Sequence, residues 1–338
     1  MCSEMRELSY SLAINEAIHQ AMAADASVML LGQGVKSPWY VGNTTKGLLE
    51  TFGPLRVIDT PVSENAVTGA AIGAALAGMR PIVVHPRMDF MLYAMDAIVN
   101  QAANWHYMSG GRLSVPVVFW GIVNRGNEQA AQHSQAIFTM FCHVPGLRVV
   151  APSCPRDAKG LMMAAIGDDN PVLFVDERGL YTSVESVDVA PYETPIGKAQ
   201  IRRQGPDATV VAYSAGVPAA LSAAAQLHAD GIDVTVVDLR TLKPLDMDTV
   251  CLAVARTGRV VVLDTCWKSF GLGSEILAAL AESGVTLTAP PVRLALPDAP
   301  APAARSLEAG YFITQQQITD AVRSVVTTRP REPFGYGN

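Results

Sequence analysis

The stretch RVIDTPVSENAVTGAAIGAAL, residues 56–76, decides the fold class. Its first four residues are a short β-rich run, and its last eleven are an Ala- and Gly-crowded helix, Ala66–Leu76. Between them lies a polar turn, Asp59-Thr-Pro-Val-Ser-Glu64-Asn. Strand, turn and helix in that order are the repeating unit of an α/β sheet. In open sheets of this kind ligands sit beyond the carboxyl ends of the strands, where Glu64 falls. The small residues of the helix let another backbone or a flat ring come close. A second reading of Glu64 is also open, an acid in the first helical turn complementing the dipole.

The same alternation extends in both directions. Ile14, Ile18, Ala21 and Met22 share a helical face, and Val28–Leu31 reads as a buried strand. Pro81–Val84, Val115–Trp120, Leu147–Val150 and Val172–Val175 are further strand-length runs. Helical stretches fall between them at Tyr93–Tyr107 and Pro155–Ile166. Phe90, Tyr93, Trp105 and Tyr107 mostly keep helical spacing and read as core or interface. A polar stretch then interrupts the pattern. It resumes with strands at Ala208–Tyr213, Asp233–Asp238, Arg259–Asp264 and Val292–Leu296 and with intervening helices, the last near Gln317–Val326. Strands alternating with helices predict mostly parallel sheets covered on both faces. The expected division is a first α/β domain at 1–185, a linker with an edge strand at 186–205, a second α/β domain at 206–328 and a tail at 329–338.

Composition supports two domains and narrows their role. The chain has 338 residues, 49% of them hydrophobic and 17% charged, with a net charge of -6. A lone soluble chain usually carries roughly 25% charged residues, so part of this surface is expected to be covered by a partner. Nothing basic is left over to neutralise phosphates, which argues against nucleic acid. No run approaches the ~18 apolar residues of a membrane span. Five scattered cysteines without a CxxC pair, and no basic-then-apolar leader, read as a reduced, cytoplasmic protein.

Two other segments could carry chemistry. Gln132-His133-Ser134-Gln135 follows Arg125-Gly126-Asn127 in a polar loop, where a histidine can act as acid, base or donor. A loop histidine bonded to backbone is the plainer alternative. Ser134 lacks the GxSxG context of a hydrolase nucleophile. Ala165-Ile-Gly-Asp168-Asp169-Asn170-Pro171 ends a helix, and unpaired carbonyls there, with an acid, could hold a cation. An ordinary Asp-Asn-Pro turn explains the same residues. There is no GxGxxG opening a helix after the first strand, no GxxxxGK[ST] loop and no HExxH, and six dispersed histidines make no metal cluster.

Taken in order, the segments resemble the β subunit of thiamine-diphosphate-dependent 2-oxo acid dehydrogenases, the E1 component of pyruvate and branched-chain complexes. The resemblance runs from about Ser9 to Val326. It rests on Thr45-Lys-Gly-Leu, Asp59-Thr-Pro-Val-Ser-Glu64, Tyr107-Met-Ser-Gly-Gly111, Gln132-His-Ser-Gln135 and Pro145-Gly-Leu-Arg-Val-Val150. Asp238-Leu-Arg-Thr-Leu-Lys-Pro-Leu-Asp246 and Gly271-Leu-Gly-Ser-Glu275 extend it. It implies a transketolase-like pyrimidine-binding domain with a mostly parallel sheet, followed by a transketolase C-terminal α/β domain. It implies that Glu64 bonds the cofactor's aminopyrimidine, with Phe90 stacking near the ring and Val62 in apolar contact. His133 would orient substrate and serve acyl transfer. Ala165, Ile166, Asp168 and Asn170 would form a monovalent-cation site for K⁺.

The family binds Mg²⁺ and the diphosphate through a GDG motif absent here. The resemblance therefore implies an α subunit that holds the Mg²⁺, in an α₂β₂ assembly, acting on a small 2-oxo acid and passing the acyl group to a lipoyl-bearing E2. The chain departs from the pattern at Gly32-Gln33-Gly34, where members carry an acidic pair tied to proton exchange between active sites, although Asp96 is kept. Ser37-Pro-Trp39-Tyr40 is more aromatic than usual. These departures leave room for a split transketolase-like or acyloin-forming enzyme without an E2. A non-catalytic regulatory partner of an α subunit is the third reading, and Glu64 and His133 argue against it.

Overall fold

The structure is a computed structural model describing residues 4–37 and 41–328. Trp39, Tyr40 and the expected tail at 329–338 lie outside the described residues. The chain divides into two compact units. The first is built from the residues up to Gly197, with Arg240–Pro244 and Pro300–Glu308; the second comprises Lys198–Leu239, Leu245–Ala299 and the residues from Ala309 on.

The first unit is built on a seven-stranded sheet. Its order is Thr241–Lys243, Arg148–Val150, Val172–Glu177, Val118–Val123, Arg80–His85, Val28–Gly32 and Val57–Asp59. Every pairing is parallel except that of Thr241–Lys243 with Arg148–Val150. The central strands read as unbroken apolar runs because both faces are buried. From Val28–Gly32 the chain passes to Val57–Asp59 on one side, then returns past it to Arg80–His85 on the other. That reversal leaves a crevice at the carboxyl ends of Val28–Gly32 and Arg80–His85. Gly32 sits at its floor with φ +149°, and a Cβ there would lie 2.6 Å from the Val84 carbonyl oxygen. Only glycine permits two backbones to meet this closely.

Helix Tyr10–Ala24 is capped by Ser9, whose side chain accepts from the Leu12 N–H, and it buries Ile14, Ile18, Ala21 and Met22. It packs on helix Pro155–Gly167, which begins with its proline in the first turn. Lys159 on that helix is fully buried, and its Nζ donates to Glu16 Oε1 and the Asp188 carbonyl, each at 2.6 Å.

Three expectations need correction. The helix expected at Tyr93–Tyr107 is a 3₁₀ segment at Met88–Ala94, a π segment at Asp96–Ala102 and an α-helix at Ala103–Met108. Tyr107, expected in the core or at an interface, is 89% exposed on it. The strand expected at Val115–Trp120 runs from Val118 to Val123 instead, since Pro116 has no N–H for the ladder. The stretch read as a linker, 186–205, carries regular structure at both ends. Val184–Asp188 pairs antiparallel with Met5–Ser9, a partner too distant in sequence for local pattern to disclose. Gln200–Arg203 is the edge strand expected in this stretch, and it belongs to the sheet of the second unit.

The second unit has five strands in the order Val292–Leu296, Val260–Trp267, Ala208–Ala212, Val234–Asp238 and Gln200–Arg203. Its core joins Val210, Val236 and Val261 to Ala220, Leu227, Ile318 and Val322 of the covering helices. Asp264 organises the strand ends, accepting from Tyr213 Oη and from the Gly273 N–H at 2.8 Å. Among the described residues no helix is long and apolar enough to cross a membrane, and Cys142, Cys154, Cys251 and Cys266 stand outside any disulfide.

Candidate active site

The crevice of the first unit opens into a cavity of about 420 Å³. Gln33 follows one strand, Thr60 to Glu64 follow a second, and Val84 to Arg87 end a third; Val67, Phe90, Tyr93 and His133 complete the wall. Glu64 is the first residue of helix Glu64–Leu76, half-buried at its positive end. Both sequence readings of Glu64 thus describe one position. Val62, on the turn before it, is 67% exposed at the rim. Phe90 stands on the 3₁₀ segment with its ring edge-on to His133, centroids 5.4 Å apart at 87°. Glu64, Val62, Phe90 and His133, picked from three separate segments, therefore line one cavity.

His133 comes from the loop after strand Val118–Val123. Gly126, Asn127, Glu128 and Ala130 in that loop all have positive φ, a conformation costly for non-glycine residues unless the surroundings fix it. Two carboxylates do so. Asp89 Oδ1 accepts the Gln135 N–H at 3.0 Å, and Glu308 Oε2 accepts the Glu128 N–H at 3.1 Å. Glu308 belongs to the late segment Pro300–Glu308 of this unit, and Arg305 of the same segment pairs with Glu128. Burial raises the Asp89 carboxyl above its ordinary range, while the Gln135 hydrogen bonds and the neighbouring His133 work against this. Ser134 is buried beside the exposed Gln132 and half-buried His133.

Sequence reasoning missed His85, Arg87 and Asp89. His85 is 3% exposed, and burial pushes its imidazole down to about 4, so it is neutral near pH 7. Its Nε2 lies 3.4 Å from Thr68 Oγ1. Arg87 sits two residues beyond the strand, its Nη1 donating to the Pro86 carbonyl at 2.8 Å.

Behind the histidine loop, the neighbouring strand ends in two buried acids, Asp176 and Glu177. Asp176 Oδ2 accepts from Trp120 Nε1 at 2.9 Å and Tyr181 Oη at 2.7 Å. Burial raises its carboxyl to about 7, the two hydrogen bonds opposing this. Below the ordinary value of 3.8 both folded and unfolded chains hold the proton; between 3.8 and 7 only the folded chain does. Stability therefore falls as pH rises through that window, by on the order of 4 kcal/mol for this group. Asp176→Asn should flatten the dependence. Urea midpoints at pH 5 and pH 8 should converge in the variant, and an unchanged gap between them would refute the assignment.

The turn singled out for a cation has an internal one. Arg80 Nη1 donates to the Ile166 and Asp168 carbonyls at 3.0 and 3.1 Å, and Nη2 to Asp169 Oδ1 at 2.6 Å. Asp168 Oδ1 accepts from the Asn170 N–H and Nδ2, and its Oδ2 pairs with Arg148 at 2.8 Å. Ala165 and Ile166 are buried at the end of their helix. Among the described residues no group of three or more His, Cys, Asp or Glu could hold a metal ion.

Two family models match the chain: the transketolase pyrimidine binding domain over residues 6–183 and the transketolase C-terminal domain over residues 197–318. The β subunit of acetoin:2,6-dichlorophenolindophenol oxidoreductase from Cupriavidus necator is 44% identical over 338 residues, spanning 95% of this chain and 98% of that protein. The pyruvate dehydrogenase E1 component subunit β of Rickettsia bellii is 41% identical over 314 residues, spanning 93% and 97%. That of Rhizobium meliloti is 40% identical over 325 residues, spanning 96% and 71%. Among solved structures, a split-gene transketolase described as an inactive β4 tetramer matches with a TM-score of 0.78. It covers 95% of this chain and 99% of its own at 21% identity, a likeness of fold alone.

Proposed function

The chain belongs to the transketolase-like family of E1 β subunits of 2-oxo acid dehydrogenases, and from that premise we propose that it is the thiamine-activating half of a two-chain 2-oxo acid decarboxylating enzyme in the cytoplasm. The observation that carries the reading is the convergence of Glu64, Phe90 and His133 on one cavity at the sheet's reversal point. A regulatory chain without catalysis has no need of that convergence.

The lining fits an aminopyrimidine. Glu64 offers a carboxylate acceptor, Phe90 an aromatic wall and Val62 an apolar edge, in a cavity of a size usual for cofactors. Bound there, thiamine diphosphate supplies a nucleophilic carbon and an electron sink for decarboxylation. Glu64 holds or shares the proton on the ring nitrogen, and Phe90 fixes the plane of the ring. His133, held edge-on by Phe90, presents an imidazole that can give or take a proton at the substrate oxygen and orient the acyl group for transfer to a lipoyl-bearing E2. Mg²⁺ and the diphosphate belong to an α subunit in an α₂β₂ assembly. A K⁺ at Ala165, Ile166, Asp168 and Asn170 would share the Ile166 and Asp168 carbonyls with Arg80. The relative named for acetoin keeps a second reading in view, an acyloin-handling enzyme on the same site.

Calorimetry tests the shared site. The chain alone is expected to bind thiamine diphosphate weakly, and the complex co-purified with its α-type partner to bind it tightly with Mg²⁺. Tight Mg²⁺-dependent binding by the isolated chain would overturn the proposal. Screening the complex against 2-oxo acids and acetoin with an artificial electron acceptor then separates the two readings.

A further inference from the structure

Resting on the oxo-acid reading above, we propose that Arg87 determines specificity by anchoring a second carboxylate on the substrate, so that the natural substrate is a 2-oxo dicarboxylate. Arg87 follows Pro86 at the carboxyl end of strand Arg80–His85 and lines the same cavity as Glu64 and His133. Its side chain is half-buried, and the bond from Nη1 to the Pro86 carbonyl limits its rotation. In this partly desolvated setting a guanidinium interacts more strongly with an anion than it would on the open surface.

The remaining ionisable lining sharpens the point. Burial keeps the neighbouring His85 neutral, and the other ionisable side chains of the lining are Glu64, Tyr93 and His133. Arg87 is then the permanent positive charge of the described lining. Its planar fork matches a carboxylate in a way that no other lining group can.

The chemistry decides which carboxylate it holds. The carboxylate next to the oxo carbon leaves as CO₂ and loses its charge on the way to the transition state. A guanidinium gripping it would stabilise the reactant more than the transition state and slow the reaction. A charge that persists through the reaction can be held without that penalty. A carboxylate at the far end of the substrate keeps its charge throughout, and binding energy gained there can be used to orient the reacting carbon.

The test uses the complex of the full chain with its α-type partner and matched pairs of acids. Oxaloacetate is set against 2-oxobutyrate, 2-oxoglutarate against 2-oxopentanoate, and 2-oxoadipate against 2-oxohexanoate, with an artificial electron acceptor. In at least one pair the kcat/KM ratio of dicarboxylate to monocarboxylate should favour the dicarboxylate by about 30-fold. Arg87→Met should lower that ratio by about 30-fold, and Arg87→Lys by less, because the ammonium keeps the charge but not the fork. If the Met variant fails to fold, the wild-type ratio and the Lys variant decide. A wild-type ratio at or below one in every pair overturns the proposal, as does a ratio unmoved by the variants. Turnover of monocarboxylates only overturns the anchor and leaves the oxo-acid reading standing. A complex that exchanges the cofactor's C2 proton yet turns over no oxo acid removes both.

Discussion

Glu64→Gln should lower turnover of the reconstituted complex by about 1,000-fold, within the range measured for loss of a positioned acid or base. The amide keeps the size of the side chain and its place at the start of helix Glu64–Leu76. Circular dichroism and co-purification with the partner should therefore be unchanged. What the amide cannot do is hold a proton on the ring nitrogen of the cofactor. The loss should appear equally in exchange of the cofactor's C2 proton, followed by NMR in deuterated buffer. Turnover near that of the wild type would leave Glu64 as a helix-start acid and nothing more.

His133→Ala should act later in the reaction. The histidine stands against Phe90 rather than beside Glu64 in sequence, and its loop is fixed by Asp89 and Glu308 independently of the imidazole. Turnover with a lipoyl acceptor is expected to fall by about 100-fold, and C2 exchange by far less. An equal fall in both would show that the imidazole takes part in activating the cofactor, or that the variant disturbs Phe90.

The difference between the two variants reflects what the sequence discloses. Val28–Leu31, Pro81–Val84 and Val172–Val175 were readable as strands because burial on both faces makes them apolar without interruption. Glu64 was readable because a carboxylate between a strand and a helix has a place in any open α/β sheet. Met5–Ser9 and Val184–Asp188 were not, since they are half-polar and define each other across most of the first unit. The segment Met88–Met108 has helical spacing in one dimension, but three different windings can share it. His85 and Arg87 carried a usable signal. They follow a recognisable strand directly, and the rule that pointed to Glu64 points equally to them. Asp89 gave none, because its role is to accept one backbone N–H from a loop 46 residues away.

Synthesis on the ribosome runs from the N-terminal side onward, but the first unit is not finished in that order. Its sheet gains the edge strand Thr241–Lys243 only after the chain has begun the second unit, and the Glu308 clamp on the histidine loop comes later still. A nascent chain that has emerged as far as Gly197 thus has the cavity walls but neither the outer strand nor the clamp. The Glu308 clamp closes late, after most of the described residues have been made, so a truncation before Glu308 leaves the His133 loop held by Asp89 alone.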